Sequence, residues 1–213
     1  MTARPLAAAL AIVVALAAAP ASAAKILIIA DSHAVGPFGA SLEAELIAKG
    51  NTVAMYAVCS ASVRWWLLPA NKRAKLSICY KIHDYGVTSQ AQEGAPATDP
   101  GSAADLLKSN PDILIVALGS NGPAGTPAAA EDLLQLPPTT PRCVWVTPPP
   151  MPSQLAAIGQ LFNDLPVAIN RANRSCTIID SRLYLTASQS TKDHFYGEPA
   201  KKWGKGIADL VSP

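Results

Sequence analysis

Lys25-Ile26-Leu27-Ile28-Ile29-Ala30, followed at once by Asp31-Ser32-His33-Ala34-Val35-Gly36-Pro37-Phe38-Gly39, is the stretch on which the reading of this chain turns. Its first six residues are apolar after the lysine and rich in β-branched side chains, the pattern of a strand buried on both faces of a parallel sheet. The residues that follow predict a tight turn and then a helix. Ser32 therefore falls at the carboxyl end of a strand, where open α/β sheets bind ligands, with its N–H near a helix N-terminus. That is a nucleophile's position, and equally that of a serine capping the next helix.

Upstream of this strand, Arg4 lies in a short basic segment, Leu6 to Ala19 is an almost unbroken apolar run, and Ala21-Ser22-Ala23 offers small residues for cleavage. Residues 1–23 read as a secretory signal peptide, because the apolar run is shorter than the roughly 20 residues a spanning helix needs. No later segment has the length to span a bilayer. The expected location is the periplasm or the exterior, with no stable membrane insertion. Residues 24–213 are expected to form one domain, and a monomer. The 17 basic and 15 acidic residues nearly cancel, without the basic stripe that nucleic acid requires.

Downstream, Pro37 to Lys49 predicts a helix with Phe38, Leu42 and Leu46 at i+4 spacing and Gly50 as its stop. Thr52 to Val58, Asp112 to Leu118, Cys143 to Thr147 and Cys176 to Ile179 read as further strands. Helices are expected at Ala103 to Ser109, at Leu155 to Asn173, and from Gly197 onward with Ala200, Trp203, Ile207 and Leu210 on its buried face. Trp145 and Trp203 read as core. Gly122 to Ala130 and Pro137 to Pro141 read as loops. Strands alternating with helices predict an α/β fold, a three-layer αβα sandwich on a five-stranded parallel sheet with right-handed crossovers. Residues 59–102 are too long for a plain connection and predict a partly helical excursion ending in a flexible stretch near Gly94 to Ser102.

Cys59, Cys79, Cys143 and Cys176 form an even set, which in an exported chain predicts two disulfides. Cys143 and Cys176 each open an apolar run. On neighbouring parallel strands, about 4.8 Å apart, they fall within bridging reach, which leaves Cys59 to pair with Cys79. No pair has the short spacing of a zinc site, and no metal is expected.

A serine nucleophile needs a base, and the chain has three histidines. His33 should point away from Ser32 and reads as a turn or pocket residue. His83, beside Asp84 in the excursion, reads as a solvated surface residue. His194, in Thr191-Lys192-Asp193-His194, follows the last strand, and its loop opens on the same sheet edge as Ser32.

Asp31-Ser32 near the start, Gly119-Ser120-Asn121 after the middle strand and His194 near the end resemble, in order and spacing, the four-block signature of the SGNH/GDSL hydrolases, a flavodoxin-like fold. The resemblance implies Ser32 as nucleophile, His194 as general base, and an oxyanion site made by the Ser32 N–H, the Asn121 side chain and a backbone N–H at Ser60 or Ala61. The chain departs from the pattern at Ala30 and Gly122. Thr191 also stands where the family's acid normally lies, three residues before the histidine. Asp193 is the nearest carboxylate to orient His194, with Thr191 or a backbone carbonyl as the alternatives.

Arg64-Trp65-Trp66 is expected to border the cleft, with Arg64 and Trp65 offering a cation and a flat apolar face to substrate and at least one of the two tryptophans serving as core. The expectation is an exported serine esterase that needs no cofactor and removes a small acyl group, such as acetyl, from a carbohydrate or cell-envelope substrate. A lipase or thioesterase of the same fold, or a carbohydrate-binding scaffold without turnover, are the alternatives.

Overall fold

The computed structural model describes residues 23–73, 79–85, 92–94, 99–137 and 142–212. The leader expected at residues 1–23 lies outside them save for Ala23. Residues 95–98 of the stretch expected at Gly94 to Ser102 and residues 138–141 of the loop expected at Pro137 to Pro141 lie outside them too.

Five apolar runs form parallel strands: β1 (Lys25–Ala30), β2 (Thr52–Val58) and, beyond the excursion, β5 (Ile113–Ala117), β6 (Arg142–Val146) and β7 (Cys176–Ile179). β1 is central because both of its faces are apolar: Ile26 to Ala30 are at most 1% exposed. The excursion contributes two more strands, β3 (Cys79–His83) and β4 (Gln92–Glu93), so the sheet has seven strands in the order β4-β3-β2-β1-β5-β6-β7. The expected five-stranded parallel sheet is present, extended by an antiparallel edge. β3 runs antiparallel to β2, and the Cys59–Cys79 disulfide closes the corner between them. The second disulfide, Cys143–Cys176, joins residues in direct register on β6 and β7, with Cα atoms 4.5 Å apart.

Helices cover both faces. α1 (Ser32–Val35) and α2 (Pro37–Ala48) lie with the C-terminal α7 (Gly197–Val211) on one side, over Ile26, Ile28, Met55 and Ile115. Trp203 stacks on Phe38 with ring centroids 3.7 Å apart. α7 approaches α2 so closely that a Cβ on Gly204 would lie 2.4 Å from the Phe38 carbonyl oxygen. The other face carries α3 (Val63–Leu67), α4 (Ala103–Leu107), α5 (Thr126–Leu134) and α6 (Leu155–Arg171) over Leu27, Ile29, Val116 and Trp145.

Three sequence expectations change. Leu210, expected on the buried face of α7, is 53% exposed, whereas Ala200, Trp203 and Ile207 are buried. Gly122 to Ala130 is not all loop: Pro127 sits in the first turn of α5, and Ala129, Ala130 and Leu133 pack inward, so tertiary burial stabilises a helix in an alanine-rich segment. His83 is not solvated: it is 4% exposed, its Nε2 lies 3.0 Å from the Val53 carbonyl oxygen, and its Nδ1 lies 2.5 Å from Glu43. Pairing β3 with β2 carries His83 under α2, where Glu43 also meets Lys81.

Candidate active site

β1 lies between β2 and β5, so the chain leaves β1 to one side and later returns to the other. The carboxyl ends of β1 and β5 therefore flank the topological switch point, where crossovers diverge and leave a crevice. Ser32 follows β1 there, and Ser120 and Asn121 follow β5. Gly119 adopts φ +128°, and a Cβ on it would lie 3.2 Å from Pro148 Cδ and 3.1 Å from Leu161, so this turn admits glycine alone.

Asp31 caps α1: its carboxylate accepts the His33 backbone N–H at 3.1 Å. This fixes Ser32 as the first residue of a helical turn at the end of a buried strand. A cleft of about 430 Å³ opens over it, lined by Ser32, Gly36, Ser60, Asn121, His194 and Tyr196 among others, with Cys59 and Cys79 in its wall.

His194 Nε2 stands 3.0 Å from Ser32 Oγ, across 162 positions of sequence. Its Nδ1 faces the main-chain carbonyl of Lys192 at 3.3 Å. A carbonyl oxygen only accepts, so Nδ1 carries the hydrogen and Nε2 presents its lone pair to the serine hydroxyl. This is the tautomer that a general base requires.

The group that faces His194 Nδ1 is the Lys192 carbonyl; the Asp193 carboxylate, the first candidate in the sequence, bonds elsewhere. Thr191 and His194 exchange backbone hydrogen bonds of 2.7 and 3.0 Å around Lys192 and Asp193. Both central residues have positive φ, 49° and 63°, as in a type I′ turn. Left-handed backbone at non-glycine residues costs on the order of 1 kcal/mol each, so the surroundings must hold it. In this turn the Asp193 side chain is directed away from the imidazole and onto Ser153, which donates to it from its N–H at 3.1 Å and from its hydroxyl. These two donors, the hydroxyl first, hold the Asp193 carboxyl below its ordinary value.

Ser60 and Asn121, expected from the sequence to supply oxyanion donors, also line the cleft. Asn121 Nδ2 donates to the Ala61 carbonyl at 3.1 Å, which pins its side chain beside Ser60. The Ala61 N–H is bonded to the Val58 carbonyl, and Ser60, with φ 65°, is the residue of the pair that lines the cleft. Arg64 and Trp65 are not among the lining residues: both lie on α3, and the Arg73 guanidinium covers the Trp65 ring at 4.5 Å. Trp66 is fully buried core. Tyr196, 56% exposed in the cleft, is an aromatic wall that sequence reading passed over. Its only signal was its place two residues beyond His194.

Among the described residues no His, Cys, Asp or Glu cluster is placed to hold a metal, and no helix is long and apolar enough to cross a membrane.

No protein-family model matches the chain, and no curated protein matches its sequence. Solved structures do match its fold. An inhibitor-bound aryl esterase from M. smegmatis is 16% identical, with a TM-score of 0.59 over 89% of this chain and 98% of that one. A carbohydrate acetylesterase from Sinorhizobium meliloti is 14% identical, with a TM-score of 0.60 over 87% and 97%. The C-terminal catalytic domain of a Streptococcus pneumoniae peptidoglycan O-acetyltransferase is 15% identical, with a TM-score of 0.55 over 89% and 93%. The chain has the SGNH-hydrolase fold. In that fold Ser32, the Ser60 region, Asn121 and His194 stand on four separate segments that converge on one cleft.

Proposed function

We propose that this protein is an exported serine esterase of SGNH type that removes small acyl groups from a carbohydrate or cell-envelope ester. The observation that carries the reading is the 3.0 Å approach of His194 Nε2 to Ser32 Oγ at the floor of an open cleft. His194 takes the hydroxyl proton as Ser32 Oγ attacks the ester carbonyl. The oxyanion of the tetrahedral intermediate is held by the backbone N–H groups of Ser32 and Ser60 and by an Asn121 amide hydrogen, the other being engaged by Ala61. His194 then protonates the departing alkoxide, leaving acyl-Ser32, and water repeats the sequence to release the acid. The Lys192 carbonyl holds the imidazole in its working tautomer through both steps. The chain's own residues suffice for this chemistry without a cofactor.

A small acyl group is supported by the lining of the site, a cleft bounded by turns and by the Cys59–Cys79 bridge. A ring-shaped carrier is supported by the exposed face of Tyr196 beside His194 and by neighbours in fold named for aryl and carbohydrate esters. Export is supported by the apolar leader of the sequence and by two disulfides, which persist in oxidising compartments.

The test is hydrolysis by the purified mature chain of p-nitrophenyl acetate against the octanoate, with a fluorophosphonate probe to locate the nucleophile. Acetate should be preferred and Ser32 labelled. Labelling of another serine, or no turnover of either ester, would refute the assignment.

A further inference from the structure

The proposed catalytic pair leaves a buried titratable side chain unused. His33 directly follows Ser32, is 8% exposed, and stacks on the His194 ring with centroids 5.0 Å and planes 14° apart. Trp203 presents its edge from the other side at 6.1 Å, and Phe195 lies at 6.4 Å. Both ring nitrogens are engaged. Nδ1 lies 3.2 Å from Asp31 Oδ1 and 3.2 Å from Ser120 Oγ. Nε2 lies 3.2 Å from the main-chain carbonyl oxygen of Asp193, which can only accept, so Nε2 carries a hydrogen and donates it.

We infer that His33 is a positioning residue, whose Nε2–H locks the Lys192–Asp193 turn and so holds His194 against Ser32. The inference rests on the proposed esterase function. His33 is itself part of the nucleophile turn, and with its hydrogen on Nε2 its Nδ1 accepts the Ser120 hydroxyl, beside the Asp31 carboxylate that caps α1. The far nitrogen grips the base turn, so one imidazole spans the two segments that must meet. The turn it grips has positive φ at two non-glycine residues, a backbone that persists only where its surroundings over-determine it. Three contacts do this: the Thr191–His194 bridge, Ser153 on the Asp193 carboxylate, and His33 on the Asp193 carbonyl. The Ser153 contact is exposed to water, whereas the His33 contact is partly buried and keeps more of its strength. The stack adds a flat surface that resists tilting of the His194 ring. Thr191 stands where a carboxylate would otherwise orient His194, so His33 supplies that orientation through the backbone.

The experiment compares His33→Leu, which keeps bulk and loses the donor, with His33→Gln, whose amide N–H can replace Nε2–H. With p-nitrophenyl acetate, His33→Leu should lower kcat roughly 10- to 100-fold with KM within about twofold, as expected when a catalytic group is misplaced by about an ångström. Fluorophosphonate labelling of Ser32 should slow in proportion. His33→Gln should recover most of both rates. Amide hydrogen exchange at His194, whose N–H closes the turn at 3.0 Å, should accelerate in His33→Leu and recover in His33→Gln. If His33→Leu does not fold, His33→Asn, too short to reach the Asp193 carbonyl, takes its place. Wild-type kcat in the donor-less variant, or equal losses in folded Leu and Gln variants, would overturn the inference. A wild-type chain inert to ester and probe alike would break the proposed function instead. The exchange comparison would then decide the role of His33 alone, with unchanged protection at His194 overturning it.

Discussion

The two halves of the proposed catalytic pair are held in different ways. Ser32 follows a strand buried from Ile26 to Ala30, and Asp31 beside it is 1% exposed, so its position follows from the packing of the sheet. His194 stands on a four-residue turn, exposed at Thr191 and Lys192, that is joined to the rest by individual polar contacts: the Thr191 bridge, Ser153 and His33. Packing is cooperative and tolerates little change, whereas polar contacts can be exchanged one at a time. The departure from the usual acid falls in the second half, where a backbone carbonyl faces the imidazole.

The sharpest way to break the comparison is to remove either half. Ser32→Ala should abolish ester turnover, a loss on the order of 10³-fold or more, with unchanged circular dichroism and Tm. His194→Ala should be about as severe. An active His194→Ala enzyme would mean that the exposed turn contributes nothing to the chemistry.

The disulfides provide the next test. Replacing Cys143 and Cys176 by serine should cost roughly 2–4 kcal/mol of stability, because a closed loop spanning 33 positions is opened, and should leave kcat near wild type. Replacing Cys59 and Cys79 should cost a similar amount and also raise KM, since both line the cleft. Thermal melts and steady-state kinetics on the two double variants separate these outcomes.

Asp193→Asn should lower kcat about tenfold or less, because its carboxylate serves Ser153 and not the imidazole. A loss of several orders of magnitude would show that the carboxylate reaches His194 during turnover. The smallest effect concerns pH. The Asp193 carboxyl is lowered from 3.8 by the Ser153 donors, so their bond adds stability above the ordinary carboxylate value and loses it as pH falls through the lowered one. Ser153→Ala should remove that dependence, lowering Tm slightly at neutral pH and leaving it nearly unchanged below the lowered value, so that the acid limb flattens. The effect should stay small because the pair is exposed.

Much of the first half was legible in the sequence. Ile26 to Ala30, Ile113 to Ala117 and Cys176 to Ile179 are apolar runs of strand length, and Asp31-Ser32 and Asn121 follow two of them, so their common edge could be inferred. The disulfide pairs followed from strand adjacency. The antiparallel edge was not legible, because β3 is polar at Lys81 and His83, whose burial depends on Glu43 of α2 and, for His83, on the Val53 carbonyl. Nor was α5, which reads as a low-complexity loop until the sheet offers Ala129, Ala130 and Leu133 a surface.

By itself the sequence determined which residues lie at the ends of buried strands, because hydrophobic periodicity is a local property that burial then enforces. The tertiary structure alone decided what each polar side chain meets at that edge. Asp193 adjoins His194 in the chain, yet it faces Ser153. His33 adjoins Ser32, yet it stacks on His194 and reaches the Asp193 carbonyl. In a turn with positive φ, neighbouring side chains diverge, and their partners come from whatever distant segment the fold brings alongside.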